Sequence, residues 1–208
     1  MSASETRGGG SESGASHEKV HTDRRSGRGK DGVIRQLEQD GFSVVEEAAT
    51  DVIALKQAQG VVEPWRHPSF IDSIVELQRQ RQALASYETH GIEFHDRSAI
   101  CTAALAVYLG YPRSDALSRE LTRLDQEGVF QRRVFFIQNL GFIKPTEARR
   151  ISFEDALRFE RVHEETYRKC GFECVFIAPG RLSDRVDAIK RAVSGAAPTL
   201  PSHASGGG

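Results

Sequence analysis

Cysteine, tryptophan and methionine are scarce in this sequence, with three, one and one among 208 residues. Cys101, Cys170 and Cys174 are an odd number and too few for a disulfide framework, so a reducing compartment, the cytoplasm, is the expected setting. No apolar run approaches the roughly 18 residues of a membrane span. The polar residues after Met1 lack the apolar core of a signal peptide. Net charge is nearly absent too: 28 Lys and Arg stand against 29 Asp and Glu, which gives no general pull toward nucleic acid or an anionic membrane. What remains, 38% hydrophobic and 27% charged, suits one globular α/β domain with tails.

Composition changes twice along the chain. Residues 1–32 hold seven Gly and six Ser but only Met1, Ala3, Ala15 and Val20 as hydrophobic residues. Such a stretch cannot offset the entropy of ordering. Ser194 to Gly208 carries no charged residue and includes two Pro and four Gly. The expected organisation is a disordered leader over 1–18, a domain over 19–193 whose first residues to 32 are not native-like as written, and a disordered tail over 194–208.

Within the domain, helical and strand-like segments alternate. Ile34–Asp40 reads as the end of a helix stopped by Gly41, and Phe42–Val45 as a short strand. Helices are expected over Ala48–Gln59 and from Ser69 to Tyr87, where Phe70, Ile71, Ile74, Leu77 and Leu84 recur at helical spacing. Gly91–Phe94 reads as a strand running into His95-Asp96-Arg97-Ser98. Helices follow over Ile100–Leu109 and Ser114–Glu127, then the buried-strand run Val134–Ile137. A helix from Ser152 to Cys170, a strand over Cys174–Ala178 and a helix over Ser183–Val193 close the domain. The alternation predicts a parallel sheet covered on both faces.

Three segments carry chemistry. Ser26-Gly27-Arg28-Gly29-Lys30 stands before a helix and resembles the phosphate-binding pattern G-x-x-x-x-G-K-[ST], whose amides and lysine hold phosphates. Arg24 occupies the first-glycine position, Asp31 replaces the hydroxyl residue, and Glu18–Asp23 is hardly apolar enough for the preceding strand. A basic, glycine-rich tail is the competing reading. Asp96-Arg97-Ser98 follows a strand at the edge where open α/β sheets bind ligands, so Asp96 suits Mg²⁺ or a substrate hydroxyl and Arg97 a phosphate. A solvated Asp–Arg pair is the alternative. Arg149-Arg150 reads either as a lid over a triphosphate or as a basic surface turn. His163-Glu164 begins a zinc motif, but Tyr167 replaces its second histidine. Cys170 and Cys174 are read as buried thiols, and Trp65 as a loop anchor or pocket wall.

The ordered set resembles the P-loop ATPase/kinase-like family that includes ribosylnicotinamide kinase-type domains, often labelled AAA family ATPases. Its pieces are Gly29-Lys30, Gly41-Phe42-Ser43-Val44-Val45-Glu46-Glu47-Ala48-Ala49, Gln78-Arg79-Gln80, Phe94–Ser98, Val134–Ile137, Arg149-Arg150, Gly171-Phe172 and Arg185. The resemblance implies an α/β P-loop NTPase fold, nucleoside-monophosphate-kinase-like, using ATP and Mg²⁺. It implies phosphate held by Lys30 and the amides of Gly27 and Gly29, with Arg149 or Arg150 in the lid. It sets Asp96 beside the phosphates or the acceptor, and has Glu47 and Arg97 facing the acceptor pocket. The expected partner is a small-molecule phosphoryl acceptor, with no membrane and no nucleic acid. The rivals are a catalytically impaired nucleotide-binding or regulatory module and a basic-tail nucleic-acid binder.

The broken motif carries one more expectation. Codons that encode Asp23 to Asp31 can be chosen so that a one-base displacement reads T-G-G-P-G-A-G-K-T, a complete phosphate-binding loop. Upstream, Lys19–Thr22 allows K-F-T-L, an apolar strand, and His17-Glu18 allows a start codon. Residues before about Val33 are therefore expected to be a displaced reading frame.

Overall fold

The computed structural model describes residues 18–24, 28–85, 91–138 and 153–195. Most of the expected leader and tail therefore lies outside the described residues. The strands are β1 (Glu18–Arg24), β2 (Ser43–Val45), β3 (Ile92–Asp96), β4 (Arg133–Ile137) and β5 (Glu173–Ile177). The helices are α1 (Arg28–Gln39), α2 (Ala49–Ala58), α3 (Ser69–Ala85), α4 (Ala99–Leu109), α5 (Asp115–Gln126), α6 (Phe153–Lys169) and α7 (Leu182–Val193). All ladders are parallel, in the order β2-β3-β1-β4-β5. Every strand therefore ends at the same edge.

Side chains alternate across β4. Val134 and Phe136 join a cluster with Ile71, Val75, Leu117 and Tyr167 from α3, α5 and α6. Phe135 and Ile137 face the other way, with Phe94 of β3 and residues of α1 and α7. Each large apolar side chain buried this way contributes about 1.5–3 kcal/mol, so both faces of the sheet are held by core packing. Helix ends follow local chemistry. Ser98 caps α4 by accepting from the Ile100 amide, and Gly110, with φ +75°, ends it in the left-handed conformation that glycine tolerates.

Three expectations are corrected. The polar segment Glu18–Arg24 forms a strand, and a central one: β3 and β4 pair with it from both sides and supply backbone hydrogen bonds that its side-chain pattern did not announce. The first helix begins at Arg28, inside the Ser26–Lys30 segment expected to precede it, and ends at Gln39 near the expected stop. Cys170 and Cys174 are half-buried rather than buried, and burial pushes the Cys170 thiol pKa up. Trp65 anchors its loop: it packs on the cluster of Ala48, Val52, Phe70 and Ile74, and Tyr111 donates to its carbonyl at 2.8 Å.

Candidate functional site

The common edge gathers the charged residues that the sequence scattered. The chain leaves β1, the central strand, and enters α1 within a few residues, so Lys30 lies in the first turn of that helix. Its side chain is fully buried and forms an ion pair with Asp96, the last residue of the neighbouring strand β3. Gly29 sits in the same turn. Gly27, Arg149 and Arg150 lie outside the described residues.

Asp96, Arg97 and Ser98 point three ways from one corner. Asp96 meets Lys30, and Ser98 turns back to cap α4. Arg97 adopts φ +82°, the one non-glycine positive φ among the described residues, a conformation costing about 1–3 kcal/mol. Its guanidinium is largely buried, and Nε lies 3.0 Å from Glu47 Oε1 in an ion pair. Nη1 lies 3.3 Å from His163 Nε2 on α6. The two expected acceptor-side residues, Glu47 and Arg97, are thus in direct contact.

Glu47 is itself braced. Arg81 of α3 donates to the carbonyls of Glu46 and Glu47 and pairs with Asp51, clamping the segment between β2 and α2. A small cavity opens beside Arg97, with Glu46, Gln78, Gln82, His95 and Glu120 among apolar side chains in its walls. His95 and Glu93 are buried on the α3–α6 face of β3, 2.5 Å apart, with the Phe130 ring edge-on to the imidazole. Glu120 takes a two-point contact from Arg123, which holds the Arg123 guanidinium more firmly protonated. At the far side of the edge, Arg185 donates to the Gln138 carbonyl after β4 at 3.1 Å, and burial pushes its pKa down.

Sequence reasoning missed Arg81, His163 and the Glu93–His95 pair. Phe159, His163 and Tyr167 recur at four-residue spacing, which puts them on one helix face and was the available signal for His163. Arg81 carried no signal beyond its charge on an amphipathic helix.

A buried lysine at the start of the helix after a central parallel strand, paired with an aspartate ending the next strand, defines a phosphate-binding α/β domain of the P-loop class. The chain belongs to the AAA domain family, whose profile matches residues 26–185. Two solved structures share the fold. The NadR protein in complex with NAD and AMP-PNP superposes with a TM-score of 0.59 at 17% identity, covering 89% of this chain and 52% of that one. The NadR protein in complex with NR gives 0.62 at 18% identity, covering 89% and 54%. This chain therefore spans about half the length of those relatives. A search of curated proteins finds no similar sequence.

The residues present fit a magnesium nucleotide in part. Lys30 offers a buried cation at the right turn, and Asp96 a carboxylate beside it. Among the described residues no group of three His, Cys, Asp or Glu side chains could hold a metal; Mg²⁺ is usually shared between one or two carboxylates and phosphate oxygens. Asp31 does not fit: it sets a carboxylate where the pattern wants a hydroxyl. No helix among the described residues is long and apolar enough to cross a membrane.

Proposed function

We propose that this domain binds ATP with Mg²⁺ beside Lys30 and Asp96 and belongs to the small-molecule kinases, acting in the cytoplasm. The observation that carries the reading is the adjacency of two charged pairs, Lys30–Asp96 and Glu47–Arg97, brought to one sheet edge by separate chain segments. ATP with Mg²⁺ would supply the phosphoryl group and neutralise charge between its phosphates. Lys30 and the amides of Gly27 and Gly29 hold phosphate oxygens, and Asp96 serves the metal or orients the acceptor hydroxyl. Glu47, fixed by Arg97 and Arg81, faces the acceptor and can take its proton. Arg149 or Arg150 would serve as lid residues and stabilise charge developing on the phosphates. The acceptor is a small hydroxyl compound, and nicotinamide riboside, the NR of the NadR complex, is the first to try.

Calorimetry with ATP–Mg²⁺, followed by ³¹P NMR of ATP mixed with nicotinamide riboside, tests the reading. Saturable binding with a new phosphomonoester signal is the expected result. Absence of nucleotide binding by a chain that carries an intact phosphate loop would overturn it.

A second reading, a nucleotide-binding or regulatory module without turnover, is favoured by Arg24 and Asp31 in the chain as written. We attribute those departures to a displaced reading frame. In the displaced reading from Lys19 onward, Gly27, Gly29 and Lys30 are unchanged, and the differences to Asp31 amount to V20F, H21T, T22L, D23T, R24G, R25G, S26P, R28A and D31T. Positions 20 and 22 of β1 are in register with Phe94 of β3 and Phe135 of β4, both wholly buried on the α1–α7 face. Phenylalanine and leucine suit those registers in a central parallel strand, where near-continuous apolar residues are the rule and Glu18–Arg24 is the exception. Each such side chain, if fully buried, contributes about 1.5–3 kcal/mol.

The nine-substitution protein is the test. It is expected to melt well above the chain as written and to bind ATP–Mg²⁺ far more tightly. Gain of neither sinks the frame reading, as do wobble bases in the coding DNA that forbid the displaced codons. Salt-sensitive binding of a single-stranded oligonucleotide, lost on deleting residues 1–32, would favour the basic-tail reading instead.

A further inference from the structure

We propose that His163 is a positioning residue: in its neutral form, protonated at Nδ1, it holds the Arg97 guanidinium against Glu47 and so fixes the acceptor side of the site from α6. Its functional consequence rests on the kinase reading above, while the contact itself does not.

The proton placement follows from the partners. His163 is buried, with Nδ1 2.9 Å from the Phe159 carbonyl one turn earlier. A carbonyl only accepts, so Nδ1 carries the ring proton and donates it. Nε2 is left with its lone pair, and Arg97 Nη1 donates to it at 3.3 Å. A second ring proton would set an N–H against the guanidinium, so this contact requires the neutral imidazole. The ring cannot readily swing away, because Phe159 packs edge-on to it with centroids 4.2 Å apart, and Phe159 is packed in turn on Tyr108.

The same face of α6 grips the corner again one turn later. The buried Tyr167 hydroxyl lies 2.9 Å from Cys101 Sγ and 3.3 Å from Ser98 Oγ. Both contacts fall at the start of α4, immediately after Arg97. The strained backbone of Arg97 is therefore held from three sides: by Glu47 from the β2–α2 segment, by His163 and Tyr167 from α6, and by the Ser98 cap of α4. A positive-φ arginine persists only where its surroundings over-determine it. Glu47 and His163 between them define where the guanidinium goes. Because α6 follows the segment that carries Arg149 and Arg150, the contact also ties the acceptor side to the helix beyond that segment.

The experiment reads the contact and its consequence separately. In the wild-type protein, ¹⁵N imidazole shifts are expected to report the Nδ1-protonated tautomer for His163. The Nε2-protonated tautomer would overturn the proposal before any variant is made. The Arg97 Nε–H resonance, assigned by its loss in Arg97→Lys, is expected to exchange slowly in wild type and in His163→Gln, whose amide oxygen can replace Nε2. It is expected to exchange much faster in His163→Leu, which keeps the volume and removes the acceptor. Calorimetry with nicotinamide riboside is expected to show affinity lowered about tenfold or more in His163→Leu and kept within about twofold in His163→Gln, the scale of a hydrogen bond to a charged group. Equal behaviour of the two variants, or a His163→Leu protein that is less stable yet keeps both the Arg97 signal and acceptor affinity, refutes positioning. If the wild type binds no nicotinamide riboside, that acceptor assignment fails, and the two NMR readouts still decide the role of His163.

Discussion

Lys30 and Asp96 make the sharpest prediction, because the pair is buried unevenly. The lysine side chain is 0% exposed and the aspartate 12% exposed. Removing one partner of a buried ion pair costs about 3–5 kcal/mol, most of it from stranding the other charge. Asp96→Ala strands the more buried group, so it should pay close to that full amount. For a domain of this size, each kcal/mol moves Tm by about 2–4 °C, so the expected drop is roughly 6–20 °C. Lys30→Met strands Asp96, which retains some contact with water, and should cost about 1–3 kcal/mol. The double variant Lys30→Met with Asp96→Asn strands neither charge. It should lie closer to wild type than Asp96→Ala does, with a coupling energy of at least about 1 kcal/mol when the cycle is closed with Asp96→Asn.

Urea unfolding of the set, with slopes checked for constancy, measures these differences. Strict additivity around the cycle would refute the pairing argument. The same burial complicates the interpretation of activity. Asp96→Asn should remove phosphoryl transfer and also lower stability, so parallel loss of both no longer marks the residue as merely structural. The discriminating measurement is made below the melting temperature of Asp96→Asn: a folded variant that still binds acceptor but transfers no phosphoryl group marks Asp96 as functional, whereas full turnover by the folded fraction marks it as structural.

Other consequences are smaller. Arg81→Ala should cost about 1 kcal/mol, since its ion pair with Asp51 is partly exposed, yet it should weaken acceptor binding by releasing the Glu47 segment; calorimetry with and without acceptor separates the two effects. Tyr167→Phe should lower stability by about 1–2 kcal/mol, as the buried hydroxyl leaves Cys101 and Ser98, and a urea midpoint unchanged from wild type would contradict the contacts. Asp40 has its pKa lowered, chiefly by its hydrogen bond with Lys190. A lowered folded pKa means that its stabilisation is present above the unfolded carboxylate range and is lost as pH falls through the folded value. Lys190→Ala should therefore return the Asp40 titration, followed by carboxyl NMR, toward the ordinary value of 3.8; an unmoved titration would show that Lys190 is not the cause.

Most of the fold was legible because its helices are amphipathic and its breaks are chemical. The five apolar positions of the Ser69 segment, the buried run at Val134 and the glycines at 41 and 171 each marked an element or its end within a few residues. Residue types at strand ends were legible too, since Asp96, Arg97 and Glu47 stood where ligand chemistry belongs in an α/β sheet. Pairings were not. Lys30 meets Asp96 only because the topology lays β1 beside β3, and Arg97 meets His163 only because α6 packs over the start of α4. The histidine of the discarded zinc motif lies against Arg97 instead.

The strand that sequence reasoning could not find says most about this chain. Glu18–Arg24 was dismissed for its polarity, and yet it occupies the middle of the sheet, bonded on both sides to strands whose matching residues are Phe94, Val134, Phe135 and Phe136. Natural sequences keep local chemistry and global position consistent, and they depart from that mostly at functional sites. Here the inconsistency spans a whole strand, ends near Asp31, and coincides with both departures from the phosphate-loop pattern. The family profile begins at Ser26, past Arg24. The displaced frame proposed above would account for all three with one cause. A displaced frame predicts a leucine in place of Thr22, in register with Phe135, a larger apolar residue in place of Val20, in register with Phe94, a glycine at position 24 and a threonine at position 31, and it does so while leaving Lys30 in place opposite Asp96. A pseudoenzyme that lost its loop by drift would have had no reason to spoil the core of its central strand, because that strand stabilises the fold whether or not ATP is bound.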